Sequence, residues 1–201
     1  MANAHRMRNS TRVFLMQLAA AVFLTAATLP GQRIELQIDP AQTKVEYTLA
    51  DVLHTVRGTF ALKRGDLYFD PVTGKAGGEL VVDAASGNSG NSTRDGRMKK
   101  NILETDRFPD IVFRPDRVEG KVEPQGPSQV QLHGIFSIHG ADHEIVFPVA
   151  VEASGGQYTA TAHFVVPYVS WGMKNPSTLF LRVSDKVEIT IHTIARPRAE
   201  Q

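Results

Sequence analysis

The stretch Thr43-Lys44-Val45-Glu46-Tyr47-Thr48-Leu49 puts Val45, Tyr47 and Leu49 on one side of an extended chain and Lys44, Glu46 and Thr48 on the other. Successive side chains of a strand point to opposite faces, so a period of two in polarity marks a strand with one dry and one wet side. That pattern suits an antiparallel sheet that packs on a core through one face. The same alternation recurs at 55–60, 65–69, 77–83, 110–114, 117–122, 129–138, 144–152, 157–166 and 186–194. Between these runs lie Asp70-Pro71-Val72-Thr73-Gly74, Glu123-Pro124-Gln125-Gly126-Pro127, His139-Gly140-Ala141-Asp142 and Ser154-Gly155-Gly156. Each carries residues that preset φ or tolerate positive φ, as a chain reversal between antiparallel neighbours requires.

Helical signal is confined to Arg94–Leu103, where Ser92 or Thr93 could cap and Met98, Ile102 and Leu103 share a face; Gly96 weakens it. No alternation of long helices with strands is present, which argues against a parallel sheet. The expected fold is therefore all-β: an antiparallel, eight-stranded up-and-down barrel with one short helix in a long loop. Eight strands are the smallest number that encloses room for a small ligand. The long connections are 84–109 and 168–180, the second carrying Trp171, the only tryptophan. Long loops in compact domains tend to be functional.

The N-terminus reads differently. Arg6, Arg8 and Arg12 precede an uncharged run from Val13 to Ala27, followed by Pro30-Gly31. A basic segment, an apolar segment of this length and small residues after it describe an export signal, too short to span a bilayer as a helix. Residues 1–31 are expected to be a signal peptide cut between about 27 and 31, leaving 32–201 as one domain in the periplasm or secreted. Cysteine is absent, so the core alone must hold that domain, which its size allows. Twenty-two basic against 21 acidic residues give a net charge of +1, and no global field exists to attract nucleic acid.

The search for catalytic chemistry finds little. No nucleophile elbow or Cys nucleophile is present, Ser170 has no local activator, and Asp106 and Asp110 lie in a polar loop. Of the seven histidines, His133, His139 and His143 are close enough in sequence to consider as ligands of a metal hydrolase. Their predicted turn position, a third ligand that the sequence does not fix and the absence of cysteine favour solvated turn histidines. Arg94, Arg97, Lys99 and Lys100 concentrate charge after a Gly/Ser/Asn-rich run without a phosphate-loop pattern. His54 opens a strand and would sit at a barrel rim, either bonding a polar head group or facing solvent; its spacing fits both.

Several segments in order resemble one family. They are Ile38-Asp39-Pro40-Ala41-Gln42-Thr43-Lys44-Val45, Thr55-Val56-Arg57-Gly58-Thr59-Phe60, Arg94-Asp95-Gly96-Arg97-Met98 and Phe108-Pro109-Asp110-Ile111-Val112-Phe113. Gly134-Ile135-Phe136-Ser137-Ile138-His139-Gly140, Ile145-Val146-Phe147-Pro148-Val149 and Val183-Ser184-Asp185-Lys186-Val187-Glu188-Ile189 continue the series. Together they cover nearly all of 36–194 and are similar to the YceI-like family. The 166–180 segment, with Trp171-Gly172 and Pro176-Ser177-Thr178-Leu179, differs from the shorter acidic connection of many members, and His139 stands where Arg is frequent.

The resemblance implies a lipocalin-like, exported barrel with an apolar channel for a polyisoprenoid or isoprenoid-quinone-like lipid, with no cofactor and only transient membrane contact. On that reading Phe60, Leu80, Phe113, Leu132, Phe136, Phe147 and Phe164 supply the apolar lining. His54, Arg57, Arg94 and Trp171 supply the rim and the head-group contacts. A barrel with a filled core, acting as an envelope stress or adhesion module through its loops, is the non-carrier alternative.

Overall fold

A run of alternating polarity can satisfy its backbone only by pairing with a neighbour, and here each run does so. The computed structural model describes residues 33–50, 54–179 and 182–198. Among them are nine antiparallel strands: β1 (Ile34–Ile38), β2 (Lys44–Ala50), β3 (Thr55–Phe69), β4 (Ala76–Asn88), β5 (Asp110–Glu119), β6 (Gly126–Ile138), β7 (Ala141–Ser154), β8 (Gln157–Val166) and β9 (Val187–Pro197). From β2 to β9 each strand pairs with the next, and β9 returns to β2 with Val45 opposite Ile191 and Tyr47 opposite Ile189. Among the described residues the sheet has no free edge left, which removes the usual hazard of edge-to-edge association.

β1 is not a ninth stave. It pairs with the far halves of β3 and β9, Leu36 lying opposite both Leu67 and Pro197. β1 and β2 thus share one position in the wall, interrupted at Asp39 to Gln42. The Asp39 side chain accepts from the Ala41 amide at 2.9 Å, and Pro40 sets φ, so a single 3-10 turn bends the chain without leaving donors unpaired. The result is the closed, eight-stranded antiparallel barrel with one short helix that the alternation predicts.

Two expected pairs of strands are each one strand. Residues 55–60 and 65–69 both belong to β3, and 110–114 belongs with 117–119, the first half of the expected 117–122 strand, to β5. In β3 the register shifts between Thr59 and Ala61 and again between Leu62 and Arg64; in β5 it shifts between Pro115 and Arg117. A bulge inserts one residue, bends the strand and reverses which parity faces inward. Residues of β3 that border the cavity are Val56, Phe60 and Leu62 before the Leu62–Arg64 shift and Leu67 and Phe69 after it, with Tyr68 between them also reaching it. In β5, Ile111, Phe113 and Pro115 give way to Val118. The phase change reads in sequence as two short strands.

Up-and-down order sorts the connections into two ends. At one end are the long 89–109 loop, the His139-Gly140 turn and the described parts of the β8–β9 connection, 167–179 and 182–186; at the other are 70–75, 120–125 and Gly155-Gly156. His139 and Gly140 have φ of 53° and 77° and join Ile138 to Ala141 as a two-residue hairpin. Both positions need the left-handed region, which explains the Gly and makes His139 an unusual occupant. Gly134 has another role: a Cβ there would lie 2.4 Å from the Arg114 carbonyl oxygen and 2.8 Å from the Phe113 ring. It lets β5 and β6 approach closely rather than leaving a void.

The helix α1 (Ser92–Arg97) starts one residue earlier than Ser92 or Thr93 would allow as caps. Asn91 is the cap, its side-chain oxygen accepting from the Arg94 amide at 3.0 Å. Beyond Gly96 the helix widens into a π-type turn over Met98–Ile102, and Met98, Ile102 and Leu103 pack onto the barrel core. The expected signal peptide, 1–31, lies outside the described residues.

Candidate ligand-binding cavity

The inward faces do not merge into a solid plug. One cluster of buried residues includes Phe113, Phe136, Phe147, Val149 and Val166; a second is Ile38, Leu62 and Ala195. Both border a cavity of about 860 Å³ that extends along the barrel. That volume falls within the ~300–1,000 Å³ of small-molecule sites.

All seven residues expected as lining, Phe60, Leu80, Phe113, Leu132, Phe136, Phe147 and Phe164, border this cavity. The aromatic ones form a row: Phe113 to Phe147 at 5.3 Å, Phe147 stacked on Phe164 at 4.5 Å, and Phe164 to Phe136 at 6.0 Å between ring centroids. Such rings present a continuous apolar wall at little cost in side-chain entropy, since each has few torsions to lose. Across the barrel, Tyr47 and Phe60 meet at 5.3 Å.

The four residues expected at the rim separate. Arg94 borders the cavity. Its Nε donates to Ser89 Oγ at 2.7 Å and its Nη2 to the Ser89 carbonyl at 2.9 Å. Trp171 lies beside the cavity rather than in its wall. Its indole stacks on the His143 ring at 3.9 Å and 4°, and sits 5.8 Å from Phe136, extending the aromatic row across the end of the barrel. His54 and Arg57 are exposed and do not border the cavity. Arg57 pairs across from Thr48, whose parity faces outward, because inward positions here are Val56, Gly58 and Phe60.

The three clustered histidines stand in different settings. His133 faces outward, accepting from Arg117 at 2.9 Å and lying 3.2 Å from Glu119. His139 packs against Phe108 at 4.9 Å and lies 3.6 Å from Glu104. His143 lies beneath Trp171. Among the described residues no group of three or more His, Asp or Glu is placed to hold a metal.

Sequence reading passed over several groups at the mouth. Asp95 is buried and accepts from both the amide and hydroxyl of Ser89, which in turn receives Arg94. Tyr47 lies beside this group, and burial raises its phenol above the ordinary range against an opposing hydrogen bond with Ser89. Tyr168 is raised for the same reason, and its hydroxyl donates to the Ser184 carbonyl at 2.6 Å. Arg97 and Lys174 also border the cavity. The i, i+3 spacing of Arg94 and Arg97 was a usable signal; the approach of the 167–186 loop was not.

The YceI-like domain profile matches residues 36–195. Among solved structures, BcnA of Burkholderia cenocepacia aligns with a TM-score of 0.65 at 18% identity, over 78% of this chain and 98% of that one. A polyisoprenoid binding domain from Saccharophagus degradans, described as implicated in plant cell wall breakdown, aligns at 0.64 and 15% over 82% and 99%. A YCEI protein of Campylobacter jejuni aligns at 0.54 and 18% over 68% and 81%. No curated protein matches the sequence.

Proposed function

The chain belongs to the YceI-like domain family, and from that premise we propose that it is an exported carrier that sequesters a long apolar lipid of polyisoprenoid type, acting by binding rather than catalysis. The cavity of about 860 Å³ carries this reading, since its wall is built from Phe, Leu, Val and Ile side chains of every stave. The polyisoprenoid binding domain of similar fold supports the choice of tail. Burying about ten chain carbons at ~0.8 kcal/mol each gives roughly 8 kcal/mol. That is comparable with the ~4–15 kcal/mol lost on association, so affinity grows with tail length and needs no reactive group. The Arg6, Arg8, Arg12 and 13–27 pattern supports export. The filled-barrel alternative fits less well, because a packed core would need the space this wall encloses.

The experiment is to express the full chain, purify it without detergent, extract it with organic solvent and identify lipids by mass spectrometry. A near-stoichiometric long-chain lipid is expected. An extract free of lipid, together with no binding of added isoprenoid, would favour the interaction-module reading.

A further inference from the structure

The charges around the cavity are distributed unevenly. Among the described residues that border it, the charged ones are Arg94, Arg97 and Lys174, and none is Asp or Glu. All three are exposed and belong to the end formed by the 89–109 and 167–186 loops. Two nearby carboxylates are already engaged. Asp95 is turned into Ser89, and Glu104, near Lys174, receives Arg107 at 2.6 Å. Arg94 is held at Nε and one Nη by Ser89, which orients its remaining N–H donors without using them. Arg97, three residues on, shares that side of the short helix.

At the opposite end the residues that border the cavity are uncharged, Tyr68, Phe69, Ala76, Val118, Val122 and Tyr158 among them, and Arg33 lies over the Tyr68 ring at 3.2 Å. The site therefore has a direction. We propose that the preferred ligand is an amphiphile with an anionic head, a carboxylate or phosphate ester on a single long apolar tail. Arg94, Arg97 and Lys174 receive the head, and the tail runs toward Val118 and Tyr158. This inference rests on the carrier reading and narrows its ligand class, since a neutral head would bring these three cations no counter-charge.

The test uses two probes with the same tail, farnesyl phosphate and farnesol, titrated into the full chain after its lipid has been extracted and the protein refolded. Exposed charge contacts are individually weak, so three together should favour the phosphate by about tenfold. Raising salt from about 0.05 M to about 0.5 M should weaken the phosphate and leave the alcohol unchanged. In the triple variant Arg94→Gln, Arg97→Gln, Lys174→Gln the preference should fall below about twofold while farnesol still binds. Arg97→Gln with Lys174→Gln, which leaves the Arg94–Ser89 bonds in place, should lose most of it. Equal affinity of the parent protein for both probes overturns the head-group assignment and leaves the carrier reading standing. A preference that survives the triple variant overturns the choice of residues. If neither probe binds the refolded barrel, the carrier reading itself falls.

Discussion

Tyr47 illustrates how one position serves both wall and mouth. Its parity in β2 turns it inward, its ring meets Phe60, and its hydroxyl lies near Ser89 and Asp95. Because burial raises its folded-state pKa above the unfolded value near 10, the native chain keeps a proton that the unfolded chain releases. Stability should therefore fall as pH rises from about 10 toward the raised native value, with Tyr168 acting in the same direction. Urea unfolding between about pH 8 and pH 11 should show a smaller alkaline loss for Tyr47→Phe than for the parent chain. An identical loss in both would assign the alkaline sensitivity elsewhere. Gly134 shows a different constraint, since the Arg114 carbonyl and the Phe113 ring occupy the space a side chain would need.

At the scale of elements, the 89–109 loop matters most because it brings both cations and apolar side chains to the barrel end. α1 has only six residues, too few to persist alone. It depends on the Asn91 cap and on Met98, Ile102 and Leu103 packing onto the core. Asn91→Ala should cost about 1 kcal/mol locally. Hydrogen exchange should accelerate across 92–103 while β6 and β7, at the heart of the closed sheet, keep their protection. Uniform acceleration through the barrel would mean that the loop and wall unfold as one unit. The bulges work at the same scale. They allow β3 and β5 to bend around a closed wall while keeping apolar residues inward on both sides of the shift.

For the whole molecule, closure and cavity are linked. Eight staves leave a central space that side chains can either fill or line, and here Ala160 and Ala162 on β8 are small where a filled core would want bulk. A bound lipid should raise stability through mass action, by about 2.7 kcal/mol at a free concentration a hundred times its Kd. Ala160→Phe, which extends a ring into the cavity, should reduce lipid binding and abolish that gain while the apo barrel keeps its far-ultraviolet spectrum. Retention of full lipid stabilisation in Ala160→Phe would place the ligand outside the barrel.

Much of this was legible in the amino-acid order, because local rules act on local residues. Alternation determined the strands, Gly/Pro/Asx clusters determined the reversals, and the scarcity of helix left an antiparallel barrel as the natural closure. The seven apolar residues border the cavity because closure turns the dry face of each strand inward. Where the period slipped, at Leu62 to Arg64 and Pro115 to Arg117, the sequence alone suggested separate strands, since a bulge is defined by what lies across from it. The mouth was decided by tertiary structure. Trp171 meets His143, Lys174 borders the same cavity as Arg94 and Arg97, and Arg57 turns away, because distant loops come to one end only after the sheet has closed.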